Sequence, residues 1–224
     1  MPLERARGLV CVITDRHRLR PGRPLDAQLR AIAGQARAAA AAGADLFQIR
    51  ERDLPDRALL TLVEDVVSAV QGSATRVLVN DRLDVALAAG THGVQLKAGS
   101  MPAEAARSLA PVDFLIGCST HAPEEIERAS RGGADFIIFG AVYPTSSKPP
   151  GHRWAGEQGL ADASRHSHVP VLAIGGIDAT RVRDIAPFAA GVAAVRWFAT
   201  TDTLRLAESV RQVRSAFDSV KPLI

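Results

Sequence analysis

The chain has 224 residues, 47% of them hydrophobic and 23% charged, with a formal net charge of +3. That length and balance suit one domain with a sizeable core, since α/β barrels run to about 200–250 residues as a single unit. Aromatic residues make up only 4% and acidic side chains lie between the basic ones, which excludes a stacking platform for single-stranded nucleic acid and leaves a mildly basic cleft for a small anion.

The N-terminal stretch from Met1 to Arg7 holds no apolar run long enough for a signal peptide or a membrane span, so a cytoplasmic protein is expected. Leu9–Ile13 is a short β-rich run, ended by Thr14 and Asp15 and followed by a loop of Arg, Pro and Gly. From Asp26 to Ala42 apolar residues recur at helical period, and Gly43 stands where a helix C-cap prefers glycine. Asp45–Ile49 reads as a second strand with Arg50, Glu51, Arg52 and Asp53 at its exit, and Pro55–Val70 as a helix with proline in its first turn. Arg76–Val79 is a third strand, terminating in Asn80 and Asp81.

The alternation continues with a helix over Leu83–Ala89, a brief strand over His92–Leu96 leading to Lys97-Ala98-Gly99-Ser100, and a helix over Pro102–Leu109. Phe114–Gly117 is the fifth strand and runs into Cys118-Ser119-Thr120-His121, after which Pro123–Arg131 is helical. Phe136–Phe139 is the sixth strand, and a long loop from Gly140 to about Gly156 precedes another helix. Val169–Ile174 with Gly175-Gly176 at its exit, Val192–Val195 and an amphipathic helix from about Asp202 to Asp218 complete the pattern. Cys11 and Cys118 lie in separate strands and are expected as small buried hydrophobes, forming neither a disulfide framework nor a metal cluster.

Eight strands that are apolar on both faces, alternating with helices and unbroken by any linker, predict a single (β/α)8 TIM barrel over residues 1–224; an open doubly wound sheet is the other arrangement this alternation allows. In a barrel the strand exits share one face. They collect Arg50, Arg52, Asn80, Asp81, Gln95, Lys97, Ser119, His121, Thr145 to Lys148, Gly175, Gly176 and Arg196, a cationic and hydrogen-bonding set suited to a phosphate. Gly175-Gly176 reads either as a tight turn or as a phosphate cradle of backbone amides after the seventh strand. Thr145, Ser147 and Lys148 read either as a solvated loop or as ligands for several anionic oxygens. His121 reads either as a helix-terminal residue or as an acid/base held neutral by neighbouring cations. Asp81 and Asp84 offer carboxylate oxygen to a magnesium ion, Asp84 reading equally as an acidic residue favoured by the dipole at a helix start; Glu51 pairs with a neighbouring arginine, and His92 is structural at the opposite barrel end.

With these residues in hand, the chain resembles the family that contains thiamine phosphate synthase and the TenI-type thiazole tautomerases. The resemblance is carried by Phe47-Gln48-Ile49-Arg50-Glu51-Arg52, Val79-Asn80-Asp81-Arg82, Gly93-Val94-Gln95-Leu96, Gly117-Cys118-Ser119-Thr120-His121, Phe139-Gly140-Ala141-Val142-Tyr143-Pro144-Thr145 and Ala173-Ile174-Gly175-Gly176-Ile177. It implies a barrel acting on a small phosphorylated thiazole; composition leaves no nucleic acid or membrane partner expected, and barrels of this kind carry a general expectation of a homodimer. The synthase's pyrophosphate ligands map onto Gln48, Arg50, Asn80, Asp81, Ser119, Thr145, Ser147 and Lys148, with Arg52 where the synthase has lysine. Its acidic run after the fourth strand, which carries a magnesium aspartate, reads Lys97-Ala98-Gly99-Ser100 here. Loss of that carboxylate beside a new lysine disfavours a divalent cation. The sequence therefore favours the tautomerase, a metal-independent isomerase needing no cofactor, with His121 as acid/base. The synthase, a transferase with magnesium on Asp81, is the alternative, and a non-catalytic phosphate binder a third. Arg196 and Trp197 replace small residues after the eighth strand, adding a phosphate contact or narrowing the pocket.

Overall fold

Short strands flanked on both sides by apolar layers pair in parallel until the eighth returns to the first, closing the barrel predicted from the alternation. The computed structural model describes residues 7–149 and 151–223. The segment Met1 to Ala6, read above for targeting signals, and Pro150 lie outside them. The strands are β1 (Leu9–Ile13), β2 (Leu46–Ile49), β3 (Arg76–Asn80), β4 (Gly93–Leu96), β5 (Leu115–Thr120), β6 (Phe136–Phe139), β7 (Val171–Ile174) and β8 (Gly191–Ala194). Between and after them run α1 (Arg16–Leu19), α2 (Leu25–Ala41), α3 (Asp56–Ala69), α4 (Leu83–Ala88), α5 (Ala103–Leu109), α6 (Pro123–Arg131), α7 (Gly156–Arg165), α8 (Val182–Ile185) and α9 (Thr203–Asp218).

Side chains alternate across each strand. Leu9, Cys11 and Ile13 point into the barrel with Leu46, Leu78, Leu115, Phe136, Ile138 and Leu172, forming an apolar plug. Val10, Val12, Phe47, Ile49, Val77 and Val79 face outward and pack under the helices. Pro24, Pro55 and Pro102 each stand immediately before a helix, where a missing N–H costs nothing, and Pro123 opens α6. No helix among the described residues is long and apolar enough to cross a membrane.

The end of the barrel opposite the site is stitched by side chains that stand just before even-numbered strands. Asp45 Oδ2 accepts the Val10 N–H at 2.7 Å, His92 Nδ1 accepts the Val77 N–H at 3.0 Å, and Asp135 Oδ2 accepts the Ile116 N–H at 2.7 Å. Arg214 and Arg107 complete the two aspartate pairs from the outer layer. His92 is thus structural, as its position implied.

Two short helices escape the periodicity of the sequence. α1 is capped by Asp15, whose side chain accepts the Arg18 N–H at 3.0 Å, and α8 occupies one turn after β7. Four residues are too few to show a period. β5 also runs three residues further than its apolar core suggested, so Ser119 and Thr120 belong to the strand and His121 follows it.

Candidate active site

The polar layer begins directly above the plug. Gln48 Nε2 donates to Asn80 Oδ1 and Gln95 Nε2 donates to Ser119 Oγ, each at 3.0 Å, so the ends of β2 to β5 are tied in pairs. Both glutamines are buried, and among the described residues neither Oε1 has a hydrogen-bond partner. Buried polar atoms left open at a strand exit are capacity for a ligand.

Beside this floor lies a cleft of about 360 Å³ whose wall includes Arg50, Thr145, Ser147, Gly175, Gly176 and Arg196. Asp15, Arg18 and Arg181 join it, residues that the sequence reading left unassigned because α1 and α8 were invisible there. A cleft of about 480 Å³ at the opposite end, lined by Glu64, Ser68, Ser73 and His92, has no cation to hold an anion. Burial, followed by the charge of Arg52, pulls the Arg50 guanidinium below its ordinary value, an environment that a bound anion relieves.

Gly175 and Gly176 serve as both turn and close approach. Their φ angles are 99° and 66°, and a Cβ would stand 2.6 Å from Ala141 Cβ at the first and 2.6 Å from the Pro144 carbonyl at the second. The chain after β6 lies against them because Val142 N–H donates to the Ile174 carbonyl at 2.9 Å and Tyr143 N–H to the Gly175 carbonyl at 3.0 Å. Among the described residues nothing accepts the Gly176 or Ile177 N–H. Arg181 donates to the Gly176 carbonyl at 3.0 Å with its guanidinium 5.0 Å from the Tyr143 ring centre.

Lys148 extends the cationic wall into an adjoining hollow, which it lines with Thr145, His152 and Arg196. Its Nζ is 3.4 Å from His121 Nε2, and the Glu125 carboxylate accepts the His121 N–H at 2.7 Å. Burial, then the Lys148 charge, hold the imidazole below the usual histidine range, so it is neutral at pH 7. Arg196 donates to Ser146 Oγ and bridges the loops after β6 and β8, while Trp197 stacks on Phe198 with ring centres 5.4 Å apart. Arg52 is not brought into the cleft; it is exposed and lines a neighbouring depression with His17 and Asp53.

Glu51 is a structural residue. It is 5% exposed, accepts from Thr14 Oγ1 at 2.7 Å and from Arg16 Nη1 at 2.9 Å, and Arg16 also grips Asp53. Cys118 is buried and its thiol is pushed up to about 11 by burial, which leaves it inert.

Of the two candidate metal carboxylates only one is free to serve. Asp84 is held by Arg82 at 2.7 Å, and Arg82 also holds Asp56. Asp81 keeps its Oδ1 buried with no partner among the described residues, while Oδ2 lies 2.5 Å from Lys97 Nζ. One unpartnered carboxylate oxygen fits a hard cation that takes its other ligands from substrate phosphate and water. Among the described residues no three of His, Cys, Asp and Glu gather into a metal-binding group.

A family model described as thiamine monophosphate synthase matches residues 10–198. The chain belongs to the thiamine monophosphate synthase family. Within that family it is 42% identical over 185 residues to a putative thiamine-phosphate synthase of Geobacter sulfurreducens, covering 82% of this chain and 83% of the relative. It is 35% identical over 218 residues to the thiamine-phosphate synthase of Salinibacter ruber, covering 97% and 92%. The solved thiamine phosphate pyrophosphorylase of Pyrococcus furiosus superposes with a TM-score of 0.77 at 30% identity, covering 94% of this chain and 96% of that one.

These relatives overturn the tautomerase preferred from sequence, because they bear synthase and pyrophosphorylase names. The structure leaves one Asp81 oxygen without a partner among the described residues, and the His121 side chain is 44% exposed beside an ammonium instead of enclosed as a lone acid/base.

Proposed function

We propose that this chain joins a pyrimidine carried as its pyrophosphate to a thiazole phosphate, forming thiamine phosphate and releasing pyrophosphate. The observation that carries the reading is the single cleft shared by Arg50, Thr145, Ser147 and the Gly175-Gly176 turn, beside a floor of paired Gln48, Asn80, Gln95 and Ser119. The synthase names of the relatives support the same chemistry.

In this reaction the carbon–oxygen bond to the pyrophosphate breaks with its electrons leaving on oxygen, and the thiazole nitrogen lone pair bonds to the carbon. Charge builds on the departing oxygens, so fixed donors and cations aimed at them lower the barrier most. Arg50 offers a planar fork of N–H groups, Lys148 a compact charge, and Thr145, Ser147, Asn80 and Ser119 short hydrogen-bonding side chains. The Gly176 and Ile177 amides with Arg196 hold the thiazole phosphate at the other end of the cleft, and Gln48 and Gln95 fix the floor. Asp81 would hold magnesium, which when bound supplies further positive charge to the departing pyrophosphate. A nitrogen lone pair carries no proton to remove, so His121 acts by positioning, its neutral Nε2 accepting a hydrogen bond from the Lys148 ammonium. Arg52 stands at the rim.

Incubation of the purified chain with both substrates, with and without magnesium, tests this directly. Thiamine phosphate and pyrophosphate are expected in equal amounts, and the lack of both under every condition overturns the proposal.

A further inference from the structure

Between β3 and β4 a carboxylate suited to a metal already has a cation of its own. Asp81 follows β3 with φ of 61°, an uncommon angle for a residue with a side chain, and its N–H donates to the Gln95 carbonyl at 2.8 Å. One oxygen, Oδ1, is buried and without a partner among the described residues; the other is 2.5 Å from Lys97 Nζ. The Lys97 side chain is 63% exposed, so its ammonium can leave without disturbing the core. Among the described residues no second acid compensates for it, because Asp84 is committed to Arg82. A divalent ion arriving alone meets a carboxylate whose charge is already balanced, and it finds too few oxygens to replace its water. Pyrophosphate changes both conditions, since its oxygens complete the ion's coordination and attract the ammonium.

We propose that Lys97 is the resident counter-ion of Asp81, and that a divalent cation binds this carboxylate only together with pyrophosphate. The proposal rests on the reading of the cleft as a pyrophosphate site and adds an order of binding to it, with metal and pyrophosphate entering as a unit.

Manganese, titrated by electron paramagnetic resonance with and without inorganic pyrophosphate, reads the site without either organic substrate. The intact protein is expected to bind manganese at least tenfold more tightly when pyrophosphate is present. Lys97→Met is expected to bind it at least tenfold more tightly than the parent without pyrophosphate, whereas Lys97→Arg, which keeps the charge, behaves as the parent. Asp81→Asn tolerates the left-handed backbone and is expected to lose the pyrophosphate-dependent gain. The proposal is overturned if the parent binds manganese equally in both conditions, if Lys97→Met is no tighter than the parent, or if Asp81→Asn retains the gain. Because no thiamine phosphate is formed in this titration, its outcome stays distinct from that of the synthase assay.

Discussion

The Lys148 ammonium and the His121 imidazole stand 3.4 Å apart, nitrogen to nitrogen, a contact that is attractive only while the histidine is neutral. Protonation turns it into a repulsion between two cations. Burial and Lys148 both lower the histidine's affinity for its proton. The His121 ring resonances, followed by NMR, should therefore titrate with a midpoint below the ordinary histidine value of about 6.5. His121→Gln should abolish that titration. The linked stability has a definite sign. Between the lowered folded value and about 6.5 the unfolded chain binds more protons, so this group's contribution falls as pH drops through that window.

Gly176→Ala should destabilise the fold. The residue combines φ of 66° with a Cβ position 2.6 Å from the Pro144 carbonyl, so neither backbone nor neighbour accepts the methyl group without moving. A loss of about 1–3 kcal/mol is expected in urea denaturation. Displacement of the Tyr143 to Thr145 segment should also raise KM for the thiazole phosphate.

Arg16 and Glu51 form a nearly dry ion pair, with side chains 7% and 2% exposed. Arg16→Met should cost about 3–5 kcal/mol because it strands the Glu51 charge, and the double variant Arg16→Met/Glu51→Gln should recover a large part of that loss. Denaturation of the single and double variants checks the coupling.

Arg196→Ala separates binding from stability. Its side chain lies on the surface, and among the described residues its one hydrogen bond is to Ser146 Oγ, so unfolding should shift by no more than about 0.5 kcal/mol. KM for the thiazole phosphate should rise severalfold, while an unchanged KM would remove Arg196 from the phosphate site.

The barrel was legible because its strands are buried on both faces and its helices are punctuated by Pro55, Pro102, Pro123 and Gly43, signals that act locally. The strand exits followed from the barrel, which is how Arg50, Asn80, Ser119 and Gly175 came together on one face of the sequence reading. What stayed hidden depended on pairings between distant segments. Arg16 is buried only because Glu51 and Asp53 receive it, and Arg18 and Arg181 reach the cleft only through helices of a single turn. The choice of activity failed for a related reason. Ser100 marks a missing carboxylate in the sequence, but the unpartnered Oδ1 of Asp81 becomes visible only once β3 and β4 are paired.

The stitches made by Asp45, His92 and Asp135 lie at the far end of the strands from Asn80, Gln95 and Ser119. They fasten β1 to β2, β3 to β4 and β5 to β6, while at the corresponding step from β7 to β8 the Ala190 backbone N–H donates to the Val171 carbonyl at 2.8 Å. The molecule thus divides its labour along its axis. One rim clamps the staves, so loops on the other rim can vary to suit new anions while the vessel beneath them keeps its shape.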